Sequence, residues 1–196
     1  MITRTKKLIF SGLGIAAILL LLTKRRSMLR EELEEKIRLM HPAVQDKFRD
    51  FVAEVEEKTG YKVVITSTHR GYDKSLYVWN TNPQVRACCA IGKDYHFYGL
   101  AMDLGLLSPS GVFLNMASPK ASWEATGIRE IARKYKMRWG IDFYGYYDPI
   151  HFDIPLHDVN DMYNRAIQKY GNVKAIGDNG NRLDFSGLAK KNYQPA

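Results

Sequence analysis

The sequence predicts an α+β domain preceded by one N-terminal membrane-spanning helix. Three observations carry this. An amphipathic stripe over residues 42–58 reads as a helix, apolar runs at 61–68 and 99–107 read as strands, and residues 8–22 hold no charge between two basic clusters. The chain has 196 residues, enough for one domain with a real core plus appendages. Its 45% hydrophobic and 12% aromatic content is that of a globular protein.

The N-terminal segment "LIFSGLGIAAILLLL" (8–22) is flanked by Lys6-Lys7 and by Lys24-Arg25-Arg26. It is shorter than the roughly 17–25 residues of a full span, but snorkelling basic side chains can extend it. No small-x-small cleavage site follows the leucines, so residues 1–26 are expected to be an uncleaved membrane anchor rather than a cleaved signal or a core helix. Basic residues stand on both sides, so the positive-inside rule does not orient the span. Residues 1–26 hold six of the net +8 charges and no acid, which leaves the rest of the chain near +2. The basic pI is therefore a property of the anchor, and a nucleic-acid partner is not expected.

Residues 27–41 read as a charged helical stalk or first helix. In the helix over 42–58, Val44, Phe48, Phe51, Val52 and Val55 share a stripe, Pro42 suits the first turn and Gly60 the stop. "YKVVITST" (61–68) is β-branched and reads as a strand. Residues 70–93 read as irregular. "GLAMDLGLL" (99–107) reads as a second strand, 119–137 as a helix, 137–155 as one or two strands around a turn, and 158–170 as a last helix. The tail 171–196 has weak periodicity and reads as loose or wrapping. The adjacent Cys88 and Cys89 make no disulfide framework and are read as packing or incidental residues.

In "DYHFYGLAMDLG" (94–105) a histidine stands seven residues ahead of an aspartate. In a strand, Gly99, Ala101 and Asp103 face one way, and the small residues leave space beside the acid. On this stretch alone Asp103 reads equally well as a surface acid. "YYDPIHFDIP" (146–155) adds His151 and, three residues earlier, Asp148. Two imidazoles and one carboxylate, His96, His151 and Asp103, suit a catalytic zinc with an open fourth position. A second carboxylate that does not bind the metal is then needed as proton carrier, and Asp148 is best placed.

The pattern His96-x-x-Gly99-x-Ala101-x-Asp103, followed by "WGIDFYGYYDPIHFDI", resembles the D-alanyl-D-alanine carboxypeptidase and L-alanyl-D-glutamate endopeptidase family of zinc peptidases. That family includes phage endolysins and vancomycin-resistance dipeptidases. The resemblance covers residues 42–156 and implies a zinc peptidase domain with a Hedgehog/DD-peptidase-like fold, a small antiparallel sheet flanked by helices. It implies one Zn2+ on His96, Asp103 and His151, Asp148 as general base, and Arg70 stabilising the oxyanion or the substrate carboxylate. Asp142 and Asp153 are candidates to support the ligand histidines, and Trp139, Tyr144, Tyr146 and Tyr147 to line a groove. The chain departs from the family at Ser67-Thr68-His69-Arg70-Gly71, where Ser-Gly-Tyr-Arg-Ser is common, and at Asp94, where a serine is common.

The expected function is cleavage of peptidoglycan stem peptides, L-Ala-D-Glu endopeptidase-like, by a membrane-anchored wall-lytic enzyme of a phage or bacterium. The catalytic domain is expected outside the cytoplasm or on a virion. The rival readings are a D-Ala-D-Ala carboxypeptidase for wall remodelling and a non-catalytic virion or wall-binding relative. Residues 157–196 would form a C-terminal helix and tail.

Overall fold

The computed structural model describes residues 30–191. The apolar segment 8–22, and with it the expected membrane helix, lies outside the described residues. Among the described residues no helix is long and apolar enough to cross a membrane. The chain divides between Glu35 and Lys36, and the fold below concerns the unit that starts at Lys36.

Helix α1 covers residues 30–38 of the described chain. Helix α2 (Pro42–Thr59) starts where the His41 imidazole accepts from the Ala43 N–H, with Pro42 in the first turn. It ends at Gly60, whose φ of 72° is the left-handed conformation that closes a helix. Its stripe of Val44, Phe48, Phe51, Val52 and Val55 is buried.

Five strands follow: β1 (Lys62–Ser67), β2 (Ala101–Leu107), β3 (Phe113–Leu114), β4 (Arg138–Trp139) and β5 (His151–Asp153). They form one sheet in the order β1-β2-β5-β4, with β3 also beside β2. Every pairing is antiparallel. The fold is therefore α+β, a small antiparallel sheet flanked by helices.

The register separates two faces. Met102 lies opposite Phe152, and Phe152 opposite Trp139. This face packs on α2, where the Phe51 ring sits 5.2 Å from Phe152, and Trp139 stacks on Phe152 at 5.7 Å. Burying each such side chain contributes about 1.5–3 kcal/mol. On the other face Asp103 lies opposite His151, and Asp153 opposite both Ala101 and Arg138. The alternation of one strand pair thus places a hydrophobic core behind the sheet and a polar cluster in front.

Several expectations are corrected. Residues 70–93 are not irregular. They hold α3 (Tyr72–Thr81) and α4 (Pro83–Cys88), separated at Asn82, whose side chain caps α4. The single helix expected over 119–137 is two, α5 (Lys120–Glu124) and α6 (Ile128–Lys134), because Gly127 takes φ 74° between them. After α7 (Val159–Tyr170) the chain is structured rather than loose: α8 (Val173–Asn179) and a 3-10 turn at Gly180–Arg182 bury Ile176 and Leu183. Cys89 is disulfide-bonded, which corrects the reading of the cysteine pair as packing or incidental residues.

Gly99 is small for a reason other than the one its position suggests. It has φ 66°, and its N–H and C=O are both engaged, the latter by the His41 N–H at 2.9 Å. A Cβ there would stand 2.6 Å from the His41 nitrogen and 2.9 Å from Asn181 Cβ. Gly99 therefore admits the Met40-His41 backbone; it does not make room at the polar cluster. Gly99→Ala should destabilise the fold by at least ~1–2 kcal/mol from backbone conformation alone. A denaturant unfolding midpoint equal to wild type would refute this.

Candidate metal centre

One turn and two strands deliver the polar cluster. His96 sits in a 3-10 turn, Tyr95–Tyr98, where the Asp94 side chain accepts from the Phe97 N–H at 3.1 Å. Asp94 is thus a capping residue here. Asp103 lies in the middle of β2 and His151 opens β5 directly across from it. His96 and Asp103 are 1% and 5% exposed.

His96 Nε2 lies 2.9 Å from Asp103 Oδ1 and 3.2 Å from His151 Nδ1, and His151 Nδ1 lies 3.1 Å from Asp103 Oδ1. Among the described residues these three are the group able to hold a metal ion. Bonds of ~2.0–2.1 Å in a tetrahedral zinc site imply ligand atoms about 3.3 Å apart. The observed triangle is close to that.

The other ring nitrogens decide what these atoms carry. His96 Nδ1 is 2.6 Å from the Thr68 carbonyl, which can only accept, so Nδ1 bears the proton. His151 Nε2 is 3.0 Å from Asp153 Oδ2, a carboxylate that likewise accepts. In neutral rings, His96 Nε2 and His151 Nδ1 then both present lone pairs, and Asp103 Oδ1 adds a third. Three lone pairs converging at these distances repel unless a cation or a proton stands among them. The donor set fits Zn2+: two neutral imidazoles and one carboxylate, each held from behind.

The electrostatics agree. Burial works against the charge on Asp103, but His96 and Arg70 outweigh it and hold its carboxyl well below the usual range. Burial likewise disfavours the His151 imidazolium. The hydrogen bonds to Asp103 and Asp153 overcome it and push the ring up to about 10. Without a metal, a proton fills the same role.

Asp148 lies near enough to the cluster to feel the charges of His151 and Asp103. Its N–H donates to the Gly140 carbonyl at 3.1 Å, and its Oδ2 accepts from the Tyr146 hydroxyl at 3.1 Å. Asp148 Oδ1 is buried and has no hydrogen-bond partner among the described residues. Burial raises its pKa above the ordinary value; Asp103 adds to the rise, and His151 opposes it. A Cβ on Gly140 would stand 2.9 Å from Asp148 Cβ and closer still to the Asp148 carbonyl oxygen. The glycine after Trp139 thus lets the Asp148 turn lie against the sheet.

The remaining sequence candidates divide. Asp153 supports His151, as noted. Tyr146 reaches Asp148. Arg70, expected at a substrate oxygen, bonds instead to Asp103 Oδ2 through Nη2, and its Nε donates to Ser67 Oγ at 3.0 Å. Asp142 does not support a histidine: it is exposed and accepts both Nη1 bonds of Arg129 at 2.5 Å. Trp139 does not line a groove. It is 3% exposed, stacked on Phe152, with Nε1 donating to the Pro149 carbonyl at 2.7 Å. It packs the turn that carries Asp148. Tyr147 donates to the Ser118 carbonyl, and Tyr144 is fully exposed.

Arg138 went unrecognised in the sequence. It was legible only as a cation between Met137 and Trp139 in an apolar run, where an uncompensated charge is expensive. The Thr68 carbonyl, which fixes the His96 tautomer, leaves no side-chain signature at all.

Residues 92–154 match the family model described as D-alanyl-D-alanine carboxypeptidase. The solved structure of the L-Ala D-Glu endopeptidase ChiX of Serratia marcescens is similar to this chain at 21% identity, covering 62% of this chain and 84% of that one, with a TM-score of 0.45. No curated protein matches. The matched segment 92–154 carries the three clustered ligands and Asp148, so the similarity to the D-alanyl-D-alanine carboxypeptidase family falls on the polar cluster itself.

Proposed function

We propose that the protein is a zinc-dependent endopeptidase that cleaves peptidoglycan stem peptides at an L-Ala-D-Glu type bond. The observation that carries this is the convergence of three lone pairs from His96, Asp103 and His151 beside a buried, unpartnered carboxylate oxygen of Asp148. A bound Zn2+ would make a water more acidic and polarise the scissile carbonyl. Asp148 Oδ1 takes the proton from the attacking water and returns it to the amide nitrogen as the C–N bond breaks. Tyr146 holds the other oxygen of Asp148 and so aims Oδ1. Arg70 acts through Asp103, keeping its carboxylate ionised and oriented.

The pairing of the two arginines at the cluster supports the choice of an internal bond. Arg70 is engaged by Asp103 and Arg138 by Asp153. A carboxypeptidase needs a cation for the terminal carboxylate, and these two already serve the protein's own acids. Peptidoglycan lies outside the membrane, so the reading also puts the domain at the outer face, tethered by residues 1–26. Protease treatment of intact cells expressing the full chain tests that placement: resistance to added protease would refute it.

Digestion of purified muropeptides, followed by mass analysis, tests the specificity. Release of fragments cut between L-alanine and D-glutamate is the expected result. Loss of only a terminal D-alanine would establish the carboxypeptidase instead. EDTA should abolish cleavage and added Zn2+ restore it. Cleavage indifferent to chelation would overturn the metal reading.

A further inference from the structure

We infer that Arg138 is a positioning residue of the metal centre, acting on His151 through Asp153. The inference rests on the zinc reading proposed above. Arg138 and Asp153 are register partners on β4 and β5. The guanidinium grips the carboxylate with two parallel bonds, Nε to Oδ1 and Nη2 to Oδ2, each 2.7 Å. Oδ2 also accepts from His151 Nε2 at 3.0 Å. The same oxygen is therefore fixed by the arginine and turns the histidine ring.

Arg138 is itself held on both sides. Its guanidinium carbon lies 4.8 Å from the Tyr95 ring centroid and 5.3 Å from that of Phe143. Tyr95 is pinned by its hydroxyl on the His157 carbonyl at 3.1 Å, and Phe143 lies 5.6 Å from the His151 ring. The stack restrains the long side chain in the one geometry where its fork matches the carboxylate. Asp153 is 1% exposed, and a carboxylate so buried needs such a partner. The two carboxylates of the centre thus each have an arginine behind them, Arg70 for Asp103 and Arg138 for Asp153.

A lysine at 138 would keep the charge and lose the fork; a glutamine would lose the charge. The test uses the full chain with Arg138→Lys and Arg138→Gln. Zn2+ affinity is measured by competition with a chromophoric chelator, geometry by the visible spectrum of the Co2+-loaded protein, and folding by the thermal midpoint. Folded Arg138→Gln should bind Zn2+ roughly 10–100-fold more weakly, with an altered Co2+ spectrum. Arg138→Lys should recover part of that loss and no more. A merely structural role would lower the thermal midpoint and leave the affinity of the folded fraction untouched. That result, or wild-type affinity and spectrum in both variants, overturns the inference alone. Wild-type protein that binds no Zn2+ overturns the zinc reading and this inference together.

Discussion

His151→Ala should bind no stoichiometric zinc and lose at least ~10³-fold in kcat/KM on muropeptides, which corresponds to about 4 kcal/mol of transition-state stabilisation. Nδ1 of His151 is one corner of the ligand triangle, 3.2 Å from His96 Nε2 and 3.1 Å from Asp103 Oδ1. Two remaining ligands do not make a closed three-point site. The fold should survive, because the carboxylates that His151 leaves behind keep their arginines: Asp103 keeps Arg70 and Asp153 keeps Arg138. Metal analysis of the dialysed protein, with circular dichroism to verify folding, decides the matter. A folded variant that retains one zinc per chain would remove His151 from the ligand set.

Asp148→Asn should keep its zinc and lose about 10²–10⁴-fold in kcat, the usual share of a general base. The amide preserves shape, and its oxygen can still accept from Tyr146. It cannot take a proton from water. The pH profile separates this from a packing effect. The base must be ionised to work, so the wild-type rate should fall as pH drops through the Asp148 pKa. Burial, with Asp103 nearby, places that limb above the ordinary carboxylate value. In Asp148→Asn the residual activity should lack this acid limb. A variant with unchanged kcat, or one that keeps the same limb, would assign the proton transfer elsewhere.

The two histidines, Asp103 and Asp148 were legible because metal chemistry restricts residue type and because the motifs at 96–103 and 148–151 are each local. Period-2 alternation correctly set Asp103 apart from Met102 and Leu104. What lay behind the ligands was harder to read. Asp142 and Asp153 are both acids close to the second motif, and their chemistry is the same. Only strand pairing separates them: Asp153 faces the cluster across from Ala101, while Asp142 follows the sheet in a 3-10 turn and meets Arg129. Trp139 went to the core by the same rule, one residue out of phase with Arg138. Gly99 was assigned the wrong neighbour because the Met40-His41 backbone approaches it from far away in sequence.

By itself, then, the sequence picked out the cluster residues His96, Asp103 and His151, a second carboxylate near them in Asp148, the helix α2 with Pro42 in its first turn and Gly60 at its end, and an α+β domain of modest size. These depend on residue identity and on periods of two and 3.6, which are local properties. The tertiary structure decided which nitrogen of each histidine faces the metal position, which acid stands behind His151, and that Arg70 and Arg138 each serve a carboxylate of the protein. Those choices are made where β2, β4 and β5 come into register, between residues tens of positions apart, and no local pattern encodes that pairing.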